Sequence, residues 1–419
     1  MKRILSWFNV ITDDDSRVFG LDLFRAIAIL LVLVAHGKFL LVPFSSGFGV
    51  LKLGGFFGVE LFFVLSGYLI GTILIKLYNK DQSFNFSTIK DFWIRRWFRT
   101  LPNYYLALLL NILLLFLFVG QTFFPLSYFF FTQSLHTAPP NQFFGESWSL
   151  TVEEWFYFLF PLCLLTFVLL LGKADKKKNL LISILSFLFI IFVLRLVVVI
   201  AVDPPWDAGL RRVTQTRLDS IVLGVLFSYI AYYHKEWWKA KANLMALIGL
   251  GLTLFSILYY FKLLKADGLT TNLFSKTGYF TLVSLGFACL IPKASLVKSV
   301  RNTFFARFII HTSLISYSLY LYHFTLILNT VAYLHTPDRT FTTIGYYFGF
   351  WVGSYILCTL IYKYFEKPCT NIRERFSGRN KKITYRMNES QAPFIPSGES
   401  HANNSEAPTN VIAPPKIGQ

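Results

Sequence analysis

Ten apolar runs of roughly 17 to 25 residues follow one another along the chain, near 21–41, 56–76, 101–120, 148–171, 179–201, 216–233, 243–261, 277–291, 309–334 and 341–362. Inside lipid every backbone N–H and C=O needs a partner within the segment, so runs of this length can cross a bilayer only as helices. They predict an all-α fold, a polytopic integral membrane bundle of about ten transmembrane helices. The composition agrees, because 54% apolar and 15% charged residues lie far from the average of soluble proteins. A net charge of +18 would suit a nucleic-acid binder only if the basic residues shared one folded face. They fall between the apolar runs instead, which argues for the lipid bilayer as partner and against nucleic acid.

The basic residues also predict an orientation. Of the 40 Lys and Arg, 29 fall in alternate connecting segments and the two ends, 9 fall in the opposite set, and Arg25 and Arg195 lie inside runs. By the positive-inside bias both termini are expected in the cytoplasm. Residues 1–20 then form a cytoplasmic N-terminal segment, 21–366 the transmembrane domain, and 367–419 a cytoplasmic, largely disordered tail. Within that tail, 377–419 is rich in Asn, Ser, Pro and charge and cannot bury enough apolar surface to order itself. The apolar stretch after Met1 is broken by Asp13, Asp14 and Asp15, so the first helix is expected to stay in the protein. Cys163, Cys289, Cys358 and Cys369 fall in spans or in the tail, so neither a disulfide framework nor a metal site is expected.

Ionisable residues inside apolar runs are costly and mark function. Threading the runs through a bilayer brings His36, Glu60, Glu153, Arg195, Asp219 and His323 to the non-cytoplasmic half. His36, Glu60, Arg195 and His323 all come to roughly 21 to 24 Å above the cytoplasmic helix ends at 1.5 Å per residue. On the first helix Asp22, Arg25, Ile29, Val32 and His36 recur at steps of three and four and form one stripe. The eleven steps from Arg25 to His36 turn through about 1100° and rise about 16 Å, so both side chains face one groove. The plainer role for Arg195 and Asp219 is structural, Arg195 neutralising Glu60 or Glu153 in a buried pair that shapes the bundle.

Arg96 and Arg99, in the basic cytoplasmic loop expected before the third run, are three residues apart. On a helical turn they would aim two guanidinium forks the same way, a geometry suited to phosphate oxygens. Taken by itself, the same segment reads first as a positive-inside anchor with interfacial Trp93 and Trp97.

Taken in order, these stretches resemble the membrane acyltransferase 3 family from about Gly20 to Arg375. The resemblance is carried by Gly20-Leu21-Asp22-Leu23-Phe24-Arg25 with His36, and by Gly58-Val59-Glu60 running on to Ser66-Gly67-Tyr68. Arg96-Trp97-Phe98-Arg99 with Pro102 and Trp148-Ser149-Leu150-Thr151-Val152-Glu153-Glu154 with Tyr157 follow. Arg217-Leu218-Asp219, Ser316-Tyr317-Ser318-Leu319-Tyr320-Leu321-Tyr322-His323 and Phe365-Glu366-Lys367-Pro368 complete the series. Each is weak alone, but seven in the right order are specific for the family, not for a substrate.

The resemblance implies an acyltransferase of the bacterial inner membrane that moves an acyl group, most often acetyl, from cytoplasmic acyl-CoA to a hydroxyl of a cell-surface sugar, polysaccharide or glycolipid. No bound cofactor is expected; acyl-CoA is a co-substrate. On this reading the donor phosphates rest on Arg96, Arg99 and Arg25, and the pantetheine arm runs along the first-helix groove. His36 is the expected general base, because a neutral imidazole can take a hydroxyl proton near neutral pH. Glu60 or Glu153 is expected to orient it or hold acceptor hydroxyls, and Tyr157, Arg217, Asp219 and His323 are candidates for substrate binding. Direct transfer is favoured over an acyl-enzyme, since no cysteine lies at that depth beside a basic residue. An appended extracytoplasmic hydrolase-like domain, present in some members, is not recognised, so acceptor handling is expected within the bundle. The alternative is a transporter or lipid flippase with an intramembrane polar site, a class in which an inverted repeat, not found here, would be expected.

Overall fold

The computed structural model describes residues 17–80, 84–120, 126–140, 143–172, 175–264, 268–298 and 303–376; the tail expected at 377–419 lies outside them. Ten apolar helices dominate: α1 (Phe19–Gly37), α2 (Leu53–Lys80), α3 (Phe86–Val119), α4 (Trp148–Leu171), α5 (Lys176–Val202), α6 (Leu218–Tyr233), α7 (Ala242–Leu264), α8 (Gly278–Leu296), α9 (Phe304–Tyr322) and α10 (Phe341–Ile361). Among the described residues nine helical segments are long and apolar enough to cross a membrane, and α6 is a shorter apolar helix. The chain is a multi-pass membrane protein with an all-α fold.

Position in the bundle follows from which faces are apolar and how small the residues on them are. The most apolar window of α2 is 83% buried and that of α7 only 17%, so α2 is central and α7 peripheral. Leu247, Leu250, Leu254 and Leu258 of α7, with Phe189, Ile190 and Ile200 of α5, remain exposed as an apolar belt fit for lipid. The central place of α2 rests on glycines at its contacts with α1 and α6. A Cβ on Gly54 or Gly58 would collide with the α1 backbone at Leu31 or Ala28, and one on Gly67 with the carbonyl of Ile221 in α6. Glycine at these steps of four lets helix backbones touch, and membrane helices associate through such packing. Gly224 of α6 answers in kind against the carbonyl of Val64.

Three elements depart from the expected spans. The segment before the third run is not a loop, because α3 is one helix of 34 residues from Phe86, capped by the Asn85 side chain accepting from Thr88 N–H. At about 1.5 Å per residue it is roughly 51 Å long. After α9 the helix widens into a π turn over His323–Leu328 before finishing at Asn329–Leu334. After α10 a second π turn, Tyr362–Glu366, leads into Lys367–Phe376, so helix continues past the boundary drawn at 366. Glu366 is buried there and accepts from Ser318 Oγ at 2.6 Å and Asn103 Nδ2 at 3.0 Å, which ties this end of the helix to α9 and α3.

Candidate active site

The six ionisable residues expected in one layer divide into three groups. In the first, His36 near the end of α1 meets His323 at the start of the π turn, with His36 Nδ1 2.7 Å from His323 Nε2. The ring centroids are 4.9 Å apart and the planes 13° apart, as for an N–H···N bond made edge to edge. Phe324 stacks on His36 at 4.3 Å and fixes the ring from the side. His323 Nδ1 lies 2.8 Å from the carbonyl oxygen of Leu319 and 3.0 Å from that of Tyr320, so it must carry the proton and donate. His323 Nε2 is then an acceptor, His36 Nδ1–H is its donor, and the lone pair of His36 falls on Nε2.

In the second group Glu60, Arg195 and Asp219 are taken up in buried ion pairs. Glu60 pairs with Arg217 and accepts from Ser220 Oγ at 3.0 Å and Ser284 Oγ at 2.9 Å. Arg195 Nη1 lies 2.9 Å from both oxygens of Asp219, and Thr281 bridges the pair. Both guanidinium groups approach the ring of Phe280, Arg217 at 4.0 Å and Arg195 at 5.6 Å. All four charges are buried, and none lines a cavity that holds His36 or the arginines of α3. Glu60 was expected beside His36, and Arg217 and Asp219 on substrate; they lie instead in a closed network joining α2, α5, α6 and α8. Arg195 does neutralise a buried carboxylate, but it is that of Asp219. The physical reason is azimuth: residue counts set the depth of Glu60, while the glycine contacts of α2 with α1 and α6 turn its face toward Arg217.

Glu153 belongs to the third group, with Arg96 and Tyr157. Arg96 Nη2 donates to Tyr157 Oη at 2.6 Å, and its guanidinium lies 4.1 Å above the tyrosine ring. The tyrosine hydroxyl donates to Glu153 Oε2 at 2.9 Å, an i,i+4 contact along α4. Glu153 is thus placed beside the arginines rather than beside His36. Arg25, Arg96, Arg99 and Glu153 line one cavity, with Ser66, Ser149 and Tyr320 further in. Arg25 is steadied by Asp22 at 4.0 Å and Ser313 at 3.4 Å. The helix that replaces the expected loop brings Arg96 and Arg99 to the same face, as their spacing predicts.

His36 lines a second, larger cavity of about 750 Å³, and His323 does not; it lies behind His36. His323, expected to touch substrate, is placed to act through its neighbour. The two cavities have Val59 and Tyr320 in common. The Tyr320 hydroxyl lies 2.5 Å from Ser149 Oγ and 3.2 Å from the carbonyl of Glu146. Other walls of the His36 cavity were not singled out in the sequence: Glu146, Asp207, Arg211 and Arg212. Glu146 accepts from Thr325 Oγ1 at 2.9 Å and from Thr325 N–H at 3.3 Å, which ties it to the π turn. Asp207 is flanked by Arg211 at 2.5 Å and Arg212 at 3.0 Å. Burial alone would raise the carboxyl of Asp207, but the two guanidinium groups hold it below the usual carboxylate range. Only the Asp-x-x-x-Arg-Arg spacing, in a segment otherwise poor in charge, signals this cluster in the sequence.

The model of a family described as an acyltransferase domain matches residues 18–363. The chain belongs to that family. The match runs from the residue before α1 to the second π turn and so takes in both cavities and the histidine pair. O-acetyltransferase OatA of Staphylococcus aureus (strain NCTC 8325 / PS 47) is 29% identical over 338 residues, covering 75% of this chain and 51% of that protein. Peptidoglycan O-acetyltransferase OatA of Listeria monocytogenes serovar 1/2a (strain ATCC BAA-679 / EGD-e) is 32% identical over 182 residues, 39% of this chain and 26% of its own length. The match thus spans about half the length of the Staphylococcus protein and about a quarter of the Listeria one. No solved structure matches it.

Proposed function

We propose that the protein is an O-acyltransferase that takes an acyl group, in the first instance acetyl, from a CoA thioester at the arginine cavity. It passes the group to a hydroxyl of a cell-surface glycan in the His36 cavity. One observation carries the reading: an imidazole with its lone pair on Nε2 lines a chamber whose Val59 and Tyr320 wall also closes the chamber of Arg25, Arg96 and Arg99. Phosphates suit the guanidinium forks, and a thioester at the end of a flexible arm would reach the shared wall. The family membership supports acyl transfer, and the names of the two relatives support acetyl as the group and a glycan as the acceptor.

In the proposed step His36 Nε2 takes the proton of the acceptor hydroxyl while its oxygen attacks the thioester carbonyl carbon. The carbon–sulfur bond breaks, and the proton passes from His36 to the departing CoA thiolate. The imidazolium formed in between is steadied by its Nδ1–H bond to the neutral His323, which keeps the ring oriented. The positive-inside bias supports an arginine cavity open to the cytoplasm and a His36 cavity open to the opposite side of a bacterial inner membrane. The test is transfer of radiolabelled acetyl from acetyl-CoA to cell-wall or membrane glycans by the purified full chain in lipid. Labelled glycan that disappears with His36→Gln supports the reading, and a well-folded protein with no transfer to any glycan fraction overturns it.

A further inference from the structure

The wall of the His36 cavity carries more cation than anion: Lys38, Arg211 and Arg212 stand against Asp207 and Glu146. Asp207 occupies one edge of Arg211, its Oδ1 accepting from the Arg211 Nε at 2.5 Å, and its other oxygen lies 3.0 Å from the Nε of Arg212 as an ion pair. Arg211 makes no other hydrogen bond among the described residues, and neither of its Nη nitrogens is a buried atom without a partner. Those nitrogens therefore open onto the cavity. The guanidinium is fixed from below, its carbon 5.2 Å over the ring of Trp148. A planar fork held by a carboxylate on one edge and an indole on its face is arranged to take a second anion bidentately. Nothing in the proposed transfer step uses it.

From this we infer that the acceptor is an acidic glycan, bound through a carboxylate or phosphate on the Nη edge of Arg211 so that a neighbouring hydroxyl reaches His36. This rests on the transferase reading of the same cavity, and it narrows the substrate class: a neutral sugar would leave the Arg211 fork unused. The charge is matched at short range by one residue and at longer range by Lys38 and Arg212, so binding is expected to weaken with salt.

The direct experiment needs no acyl donor. The full-length protein in nanodiscs of phosphatidylcholine is titrated with hyaluronan tetrasaccharide, which bears carboxylates, and with neutral chitotetraose. The acidic sugar is expected to bind about 10- to 100-fold more tightly, and Arg211→Gln should abolish the difference. Equal binding of the two sugars, or a preference that survives in Arg211→Gln, overturns the inference. Because Arg211 also packs on Trp148, a salt titration of the unaltered protein provides the second arm. Between about 0.01 M and 1 M salt the Debye length falls from about 30 Å to about 3 Å, and a preference unmoved across that range overturns the inference as well. Competition by glucuronate or by glucose 6-phosphate tells which anion the fork takes, and competition by neither counts against it. Acidic-sugar binding without any acyl transfer would refute the transferase reading alone, whereas transfer indifferent to acceptor charge would refute this inference alone.

Discussion

His36 can act as a base only while its lone pair stays on Nε2, and two backbone carbonyls four and three residues before His323 hold it there through the second ring. This separates two variants that would otherwise look alike. His36→Gln should abolish transfer with donor binding intact, because the arginines lie in the other cavity. His323→Leu removes the acceptor for His36 Nδ1–H and frees the tautomer, so kcat should fall roughly a hundredfold or more with the acceptor KM unchanged. Steady-state kinetics checks this, and a raised KM with normal kcat would mean that His323 touches substrate after all. At the other end Arg99→Ala tests the donor cavity while keeping the hydrogen bond from Arg96 to Tyr157, which Arg96→Ala would remove. Losing one charge-assisted contact should weaken acyl-CoA binding by about 1.5 to 3 kcal/mol, read by titration with a non-hydrolysable acyl-CoA. The stripe from Arg25 to His36 was legible because it needs only the 3.6-residue period. The partner of His36 was not, since it lies 287 residues away and is chosen by packing.

Helix packing also explains which expectations about elements held. Apolar length sufficed to find the helices, including α6, whose 16 residues can be short because neighbours cover it. It did not distinguish a basic loop from the first turns of α3, since a positive-inside anchor and an amphipathic helix start share a composition. Nor did depth reveal rotation, and so Glu60 was grouped with His36 although α2 turns it toward Arg217. That rotation depends on the contact of Gly67 with α6. Gly67→Ala should force the helices apart and cost about 1 to 3 kcal/mol, lowering the thermal midpoint in detergent. Gly345→Ala, at an exposed position with open space around it, should leave the midpoint unchanged or slightly raised. Equal effects of the two would remove close packing as the reason for the orientation of α2.

Across the whole molecule the charges are separated along the bundle: three arginines at one cavity, a histidine pair and a cationic wall at the other, and a closed ion-pair network bracing α2, α5, α6 and α8 beside them. The account requires the cavities to open on opposite sides of the membrane. With the native cysteines replaced, Ser87→Cys, near the start of α3, should label from the cytoplasm. Thr137→Cys, in the segment before α4, should label from the other side, and labelling of both from one side would remove the orientation. The most direct measurement encloses acetyl-CoA, labelled in the acetyl group, within proteoliposomes of the full chain and places the glycan acceptor outside, with the protein oriented by its accessible Thr137→Cys. Label is expected to appear on the external glycan while CoA stays inside, and to vanish with His36→Gln. Transfer that occurs only when donor and acceptor share a compartment would contradict two chambers meeting at Val59 and Tyr320.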